Sequence, residues 1–141
     1  MQPSNYAGDV SSRQAYELLQ QQEDAVLIDV RTPAEWAFVG RADIEATGRP
    51  ALFISWQTWP TGAQNPDFVA DVEAAGVPSE ATVLLLCRSG QRSRSAAVAL
   101  TAAGFARCYN IADGFEGPKD GAEHRGTQTG WKVAGLPWVQ D

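Results

Sequence analysis

With 141 residues, the chain has room for one domain of ordinary size, about 100–150 residues, and not for a second catalytic domain. A composition of 44% hydrophobic and 20% charged residues is that of a globular protein and excludes a disordered tail, a collagen and a coiled coil. The net charge of −6 and isoelectric point near 4.7 speak against general affinity for nucleic acid or anionic lipid, so any anion site must be local.

Ser11 precedes good helix formers with apolar residues at Ala15, Leu18 and Leu19, which predicts a helix to about Gln22. Residues 25–30 form a short apolar run interrupted only by Asp29, the pattern of a strand buried on both faces. A second strand is expected at residues 51–54. Residues 65–76 carry a cap at Asn65, Pro66 at the first helical position and a terminating Gly76, which predicts a helix. Residues 81–86 are again too apolar for a one-sided strand. A polar loop follows them, and then an alanine-rich helix from about Ser93 to Gly104. Residues 108–111 make a last short strand. The alternation of strand and helix predicts an α/β fold with a mostly parallel sheet covered on both faces, in which ligands gather at the carboxyl ends of strands. Residues 114–130 hold five glycines and one proline and read as a surface loop. Trp131 and residues 135–138 are expected to pin the terminus back onto the core.

The longest apolar runs, such as residues 83–86, are far short of the roughly 20 residues that span a bilayer, and the first residues lack a basic region and an apolar core. A cytoplasmic location with no membrane or nucleic-acid partner is the expectation. Two cysteines make no disulfide framework, and one histidine gives no zinc spacing, so no metal site is predicted.

Cys87 directly follows the most apolar strand and faces the start of a helix. Unpaired amides there carry partial positive charge, and Gly90 lets the loop Arg88-Ser89-Gly90-Gln91-Arg92 curl so that its N–H groups converge. Between Ala81 and Ala112 there is no acidic residue. That window, with Arg88, Arg92, Arg94 and Arg107, is a local +4 in a chain whose remainder is −10. Such a pocket favours a thiolate and receives an anion, so the same residues would activate a nucleophile and bind its oxyanionic substrate. The plainer alternative is a cysteine that merely ends a buried strand.

The segment Cys87-Arg88-Ser89-Gly90-Gln91-Arg92-Ser93, between an apolar strand and an alanine-rich helix, resembles the active-site loop of the rhodanese-type sulfurtransferases. Residues 27–36, Leu-Ile-Asp-Val-Arg-Thr-Pro-Ala-Glu-Trp, resemble that family's second signature. The resemblance implies a single rhodanese-like domain over residues 8–139, with a five-stranded, mainly parallel sheet and helices on both faces. It implies a Cys87 that takes a sulfane sulfur from thiosulfate or a related donor as a persulfide and passes it to cyanide, a thiol or a partner protein, without metal or organic cofactor. By this likeness the amides of residues 88–93 would hold the persulfide's charge, and Arg88 and Arg92 would recognise the donor anion.

Two other readings compete. A cysteine phosphatase or arsenate reductase also uses a thiolate in an anion loop. A tyrosine-phosphatase loop, however, places its arginine six positions after the cysteine, where this chain has Ser93, with arginines at five and seven. Alternatively, the chain is a non-enzymatic or protein-partnered sulfur-relay or regulatory module. Asp29, Arg31 and Glu35 are expected to support the loop, Arg31 and Glu35 through an ion pair across one helical turn, and Asp29 is also placed to accept from the Cys87 loop. Where the family commonly has Gly-His-Ile after its second signature, this chain has Gly40-Arg41-Ala42-Asp43-Ile44. His124, the only histidine, is expected to be solvated. Cys108, 21 residues from Cys87, reads as structural; a resolving role would need adjacent sulfurs. Trp56, Trp59 and Phe115 read either as a wall of the site or as core.

Overall fold

The computed structural model describes residues 5–57 and 62–140. Its centre is set by the two runs of sequence that are apolar almost throughout. Strands β2 (Val26–Asp29) and β5 (Thr82–Leu86) lie parallel, with Ile28 level with Leu85 and Asp29 with Leu86. Leu27, Ile28 and all four apolar residues of β5 are fully buried. Such strands need not alternate, because both faces of the sheet are covered. β6 (Arg107–Ile111) pairs with β5, β1 (Gly8–Val10) with β6, and β4 (Leu52–Phe53) with β2. The five-stranded sheet therefore runs β1-β6-β5-β2-β4, parallel at every pairing. A separate antiparallel pair joins β3 (Arg41–Ala42) to β7 (Trp138–Val139).

Among the described residues four helices accompany the sheet: α1 (Ser12–Gln21), α2 (Pro33–Phe38), α3 (Phe68–Ala74) and α4 (Gln91–Ala102). The two-residue period of β5 divides the core. Val83 and Leu85, with Cys87 beyond them, join Phe68 and Val72 of α3 and Ala96, Ala97 and Leu100 of α4. Leu84 and Leu86 join Ala15 and Leu19 of α1 together with Phe115 and Trp131. No helix among the described residues is long and apolar enough to cross a membrane.

Two helix starts differ from expectation. α3 begins at Phe68 and not at Pro66, because Asn65 is spent on a turn: its side-chain oxygen accepts from the Asp67 amide at 3.0 Å and its carbonyl from Phe68 at 3.3 Å. Asn65 also donates from its side chain to the carbonyl of Ser55 and from its amide to that of Trp56, which moors the turn to the chain following β4. α4 begins at Gln91, two residues before the expected Ser93, so Gln91, Arg92 and Ser93 form its first turn and do not belong to the loop. β1 and the β3–β7 pair were not anticipated, and α2 was anticipated only as a helical turn over residues 31–35. The path of residues 40–50 is β3 followed by a 3-10 turn at Glu45–Thr47, with Ile44 buried.

The C-terminal segment is pinned as expected. Trp131 is fully buried, stands edge-on to Tyr16 at 5.7 Å, and donates from Nε1 to the Pro137 carbonyl at 2.7 Å. Its amide donates to Gly114, which ties it to the turn after β6. Trp131→Ala is therefore expected to cost about 3–5 kcal/mol of stability in a urea titration. A midpoint shift too small to measure would mean that the C-terminal segment folds onto the core without this anchor.

Candidate active site

Cys87 follows the last residue of β5, at the carboxyl edge of the sheet, and α4 begins four residues later. Gly90 makes so short a connection workable. Its φ is +104°, and a Cβ there would lie 2.3 Å from the Ala112 carbonyl oxygen, so no other residue fits without displacing backbone. In this conformation the Gly90 amide donates to Cys87 Sγ at 3.1 Å. Ser93 Oγ, on the first turn of α4, lies 3.1 Å from the same sulfur.

The loop rests on the turn that follows β6. The Phe115 amide donates to the Cys87 carbonyl at 2.8 Å, and the amides of Glu116 and Gly117 donate to the Arg88 carbonyl at 3.0 and 3.2 Å. A Cβ on Gly114 would stand 2.4 Å from that Arg88 oxygen, so the approach depends on glycine there as well.

Cys87 is 1% exposed. Beside it opens a cleft of about 570 Å³ whose lining includes Glu35, Gln57, Arg88, Arg92, Glu116 and Arg125. The sulfur is not part of that lining; its neighbour Arg88 and the helix residue Arg92 are. Ser89 is half-buried and Gln91 exposed. Arg88 is exposed, and among the described residues its side chain has no ion-pair partner. Arg125 donates to the Gly117 carbonyl and brings a cation from the glycine-rich loop, which the sequence reading missed. Arg94 is exposed and does not line the cleft.

The supporting charges pair differently from expectation. Arg31 does not reach Glu35. It precedes α2 instead of sitting in it, so no helical turn connects the two residues. Its side chain turns inward, where Nε and Nη2 bond to the Asp29 carboxylate, Nη2 to the Gly40 carbonyl at 2.8 Å, and the guanidinium stacks 4.4 Å from the centre of the Phe115 ring. Asp29 is thereby saturated by Arg31, whose amide it also accepts, and not by the Cys87 loop. Both residues are buried, so they brace the end of β2.

Glu35 pairs with Arg92 in a two-pronged bridge of 2.7 and 2.9 Å, tying α2 to α4. It also closes the capping box of α2 with Thr32. Burial pushes the Glu35 carboxyl up, but the Arg92 hydrogen bonds and charge, with the Thr32 amide, outweigh it and hold Glu35 below its ordinary value. The Glu35 hydrogen bonds hold Arg92 above its own ordinary value against the cost of burial. The charge that sequence alone assigns to anion binding at Arg92 is therefore largely met within the protein.

Asn110 is the residue the sequence reading passed over. It is fully buried in β6, with its Oδ1 2.5 Å from Ser93 Oγ and its Nδ2 donating to Asp9 at 3.0 Å. A lone amide between Tyr109 and Ile111 in an apolar strand was the available signal.

Cys108 is remote. It is level with Val83 on the neighbouring strand, four residues before Cys87, which puts the two about 13 Å apart along the sheet, beyond disulfide reach. Burial pushes its thiol up to about 11, and both cysteines are free. Trp56 packs edge-on to Phe68 in the core, and Phe115 is buried beneath Arg31. Trp59 lies outside the described residues. His124 is exposed, and no group of three or more metal-ligating side chains occurs among the described residues.

Residues 7–141 match the family described as STR4 middle domain. The chain is 37% identical over 131 residues to an uncharacterized protein of Rickettsia conorii, covering 92% of this chain and 95% of that one. It is 28% identical over 134 residues to rhodanese-like domain-containing protein 4, chloroplastic, of Arabidopsis thaliana, covering 94% of this chain and 26% of that protein. A protein of Allochromatium vinosum named sulfurtransferase is 27% identical over 131 residues, 93% of this chain and 94% of its own. The crystal structure of Rv0390 from M. tuberculosis aligns with a TM-score of 0.89 at 46% identity, over 96% of this chain and 99% of that one.

The Glu35–Arg92 bridge makes a pH-dependent contribution. Because folding lowers the Glu35 pKa below its ordinary 4.5, the contribution is present above that value and is lost as pH falls through the lower, folded one. Glu35→Gln, which preserves the capping box, is expected to be about 0.2–1 kcal/mol less stable at pH 7, since both side chains are partly exposed. In guanidinium titrations the gap should close as the pH is taken below the ordinary carboxylate range. A gap that stays constant with pH would remove the bridge from the account.

Proposed function

This chain belongs to the rhodanese-like family, which includes proteins named sulfurtransferases, and we propose that it moves a sulfane sulfur from thiosulfate or a related donor anion to a thiophilic acceptor through a persulfide on Cys87. The observation that carries this reading is the seat of the sulfur. It lies at the N-terminus of α4 with the Gly90 amide directed at it, next to a cleft lined by Arg88, Arg92 and Arg125. An amide and a helix N-terminus favour sulfur as an anion, and guanidinium groups suit the oxygens of a sulfonate-like donor.

The chemistry is two displacements at sulfur. The Cys87 thiolate attacks the outer sulfur of the donor. The donor's S–S bond breaks, and sulfite leaves with the bonding pair when thiosulfate is the donor. The charge then sits on the outer sulfur of the persulfide, within reach of the amides at the start of α4. An acceptor, cyanide or a thiolate, attacks that outer sulfur, and Cys87 leaves as the thiolate that began the cycle. The first step exchanges one S–S bond for another, and the second exchanges the persulfide S–S bond for a C–S bond with cyanide or an S–S bond with a thiolate, so the balance closes without an external oxidant or reductant.

The volume of the cleft favours an acceptor larger than cyanide. At about 570 Å³ it is in the range of sites that hold whole organic molecules, well beyond what a five-atom anion fills. A small organic thiol or the cysteine of a partner protein suits that space. Ser93, sixth after Cys87, is engaged with Asn110 where a phosphatase would present a guanidinium, which supports sulfur over phosphoryl transfer.

Incubation with thiosulfate should add one sulfur atom to the intact mass, removable by cyanide, and Cys87→Ala should abolish the addition. Persistence of the adduct in Cys87→Ala would remove Cys87 from the mechanism. Donor recognition separates by charge. Arg88→Ala is expected to raise the half-saturating thiosulfate concentration roughly tenfold by deleting a charge-assisted contact. Glu35→Gln, which releases Arg92 from its partner, is expected to lower it several-fold. Effects of the same sign in the two variants would contradict recognition through these arginines.

A further inference from the structure

Ser93, Asn110 and Asp9 form a chain behind Cys87 whose hydrogen-bond directions follow from the groups themselves. Ser93 Oγ lies 3.1 Å from Cys87 Sγ and 2.5 Å from Asn110 Oδ1, and Asn110 Nδ2 donates to Asp9 Oδ1 at 3.0 Å. A carboxylate only accepts, so the amide nitrogen of Asn110 must face Asp9 and its oxygen must face Ser93. An amide oxygen carries no proton, so the 2.5 Å contact takes the single hydroxyl proton of Ser93. Ser93 therefore turns a lone pair toward the sulfur. A thiol can donate to that lone pair; a thiolate cannot, and Ser93 and Asn110 are both fully buried, where no water can substitute.

We propose that Asn110 is a positioning residue for the Cys87 nucleophile: by holding the hydroxyl proton of Ser93, it withholds a hydrogen bond from the thiolate and so sets how readily Cys87 ionises. Asp9 fixes which way the amide faces, and Ser93 transmits the effect. The brake is selective, a consequence that rests on the sulfur-transfer reading above. In the persulfide Sγ is an uncharged bridging atom and the charge sits on the outer sulfur, so the Ser93 lone pair opposes the empty anion and not the loaded protein.

The charged groups on the elements packed around Cys87 are Arg88 of its own loop, Arg92 of α4 with Glu35 of α2, the exposed Arg94 of α4 and Arg107 of β6, the Asp29–Arg31 pair at the end of β2, Asp9 of β1, and Asp113 and Glu116 of the turn beneath the loop. None of them changes when Asn110 is replaced by an uncharged residue. A displaced Cys87 pH profile in such a variant therefore reports the direction of the hydroxyl.

The test is the rate of Cys87 alkylation by iodoacetamide as a function of pH in the full chain, with peptide mapping to separate Cys87 from Cys108. Asn110→Leu frees the Ser93 proton and is expected to react roughly tenfold faster on the acid limb, its profile displaced acidward by about one pH unit, the size of one hydrogen bond to a charged group. The same substitution made together with Ser93→Ala should change little relative to Ser93→Ala alone. An unmoved or alkaline-shifted profile, or equal acceleration with and without the serine, would overturn the proposal. If Asn110→Leu does not fold, Asp9→Ala serves, because Asp9 is exposed and its loss lets the amide turn its NH₂ toward Ser93. Acceleration that needs the serine supports the assignment, and acceleration independent of it reflects only the lost charge and defeats it. Alkylation needs no sulfur donor, so a failure here leaves the sulfur-transfer reading standing, and a failure to load sulfur leaves this result interpretable.

Discussion

The carbonyl oxygen of Arg88, held by the amides of Glu116 and Gly117, is the contact on which the rest of the site depends. A loop of four residues between a strand and a helix has few backbone hydrogen bonds of its own. This one borrows them from the turn after β6, which also supplies the Phe115 amide to the Cys87 carbonyl. Two glycines make the approach close enough, since side chains at Gly90 and Gly114 would collide with backbone oxygens at 2.3 and 2.4 Å. Fixing the carbonyls of Cys87 and Arg88 outward leaves the opposite side of the loop to present N–H groups, which is why the Gly90 amide meets the sulfur. Trp131, bonded to Gly114 and buried beneath, carries the same turn into the core.

The charge around this seat is more nearly balanced than the local composition suggests. Four arginines without an acid between residues 81 and 112 look like an unopposed positive field, but the fold brings acids from elsewhere in the chain. Glu35 meets Arg92 from α2, and Glu116 lines the same cleft. Arg31 is consumed by Asp29 in the interior, where an unpaired guanidinium would be costly. What remains for a ligand is Arg88, with Arg125 of the glycine-rich loop lining the same cleft. Under the proposed sulfur transfer the site gains from this restraint, because binding the donor anion too tightly would oppose the second displacement.

The sequence made the candidate loop legible and much of its support illegible. Cys87, Gly90 and the arginines stood out because their residue types are dense and meaningful at short range, and β2 and β5 because an unbroken apolar run has few other uses. The start of α4 was misplaced because Ser93 is a better cap than Gly90 by residue preference; the structure spends Ser93 on the sulfur and Asn110 and leaves the cap to a left-handed glycine. The pairings Arg31–Asp29 and Arg92–Glu35 could not be read from spacing. One depends on Arg31 lying outside the helix, the other on α2 and α4 meeting across 57 residues of sequence. Asn110 and α2 are different: a buried amide in an apolar strand and a Thr-Pro-x-Glu start were both visible and went unused.

The parity of β5 links fold to chemistry. Because side chains alternate along a strand, Cys87 falls on the same face as Val83 and Leu85, the face covered by α4, while its backbone lies at the sheet edge where that helix begins. A shift of one residue would turn the sulfur toward the α1 face, among Leu84, Leu86 and Phe115, with neither Gly90 nor Ser93 within reach. The register between β5 and β6 places Asn110 level with Leu85, two residues before Cys87 on the same face, from where its amide reaches Ser93. Burial and the proposed reactivity are thus compatible. The sulfur is sheltered by apolar neighbours on the sheet side, bonded by polar ones on the helix side, and charge recognition is left to residues that line the open cleft.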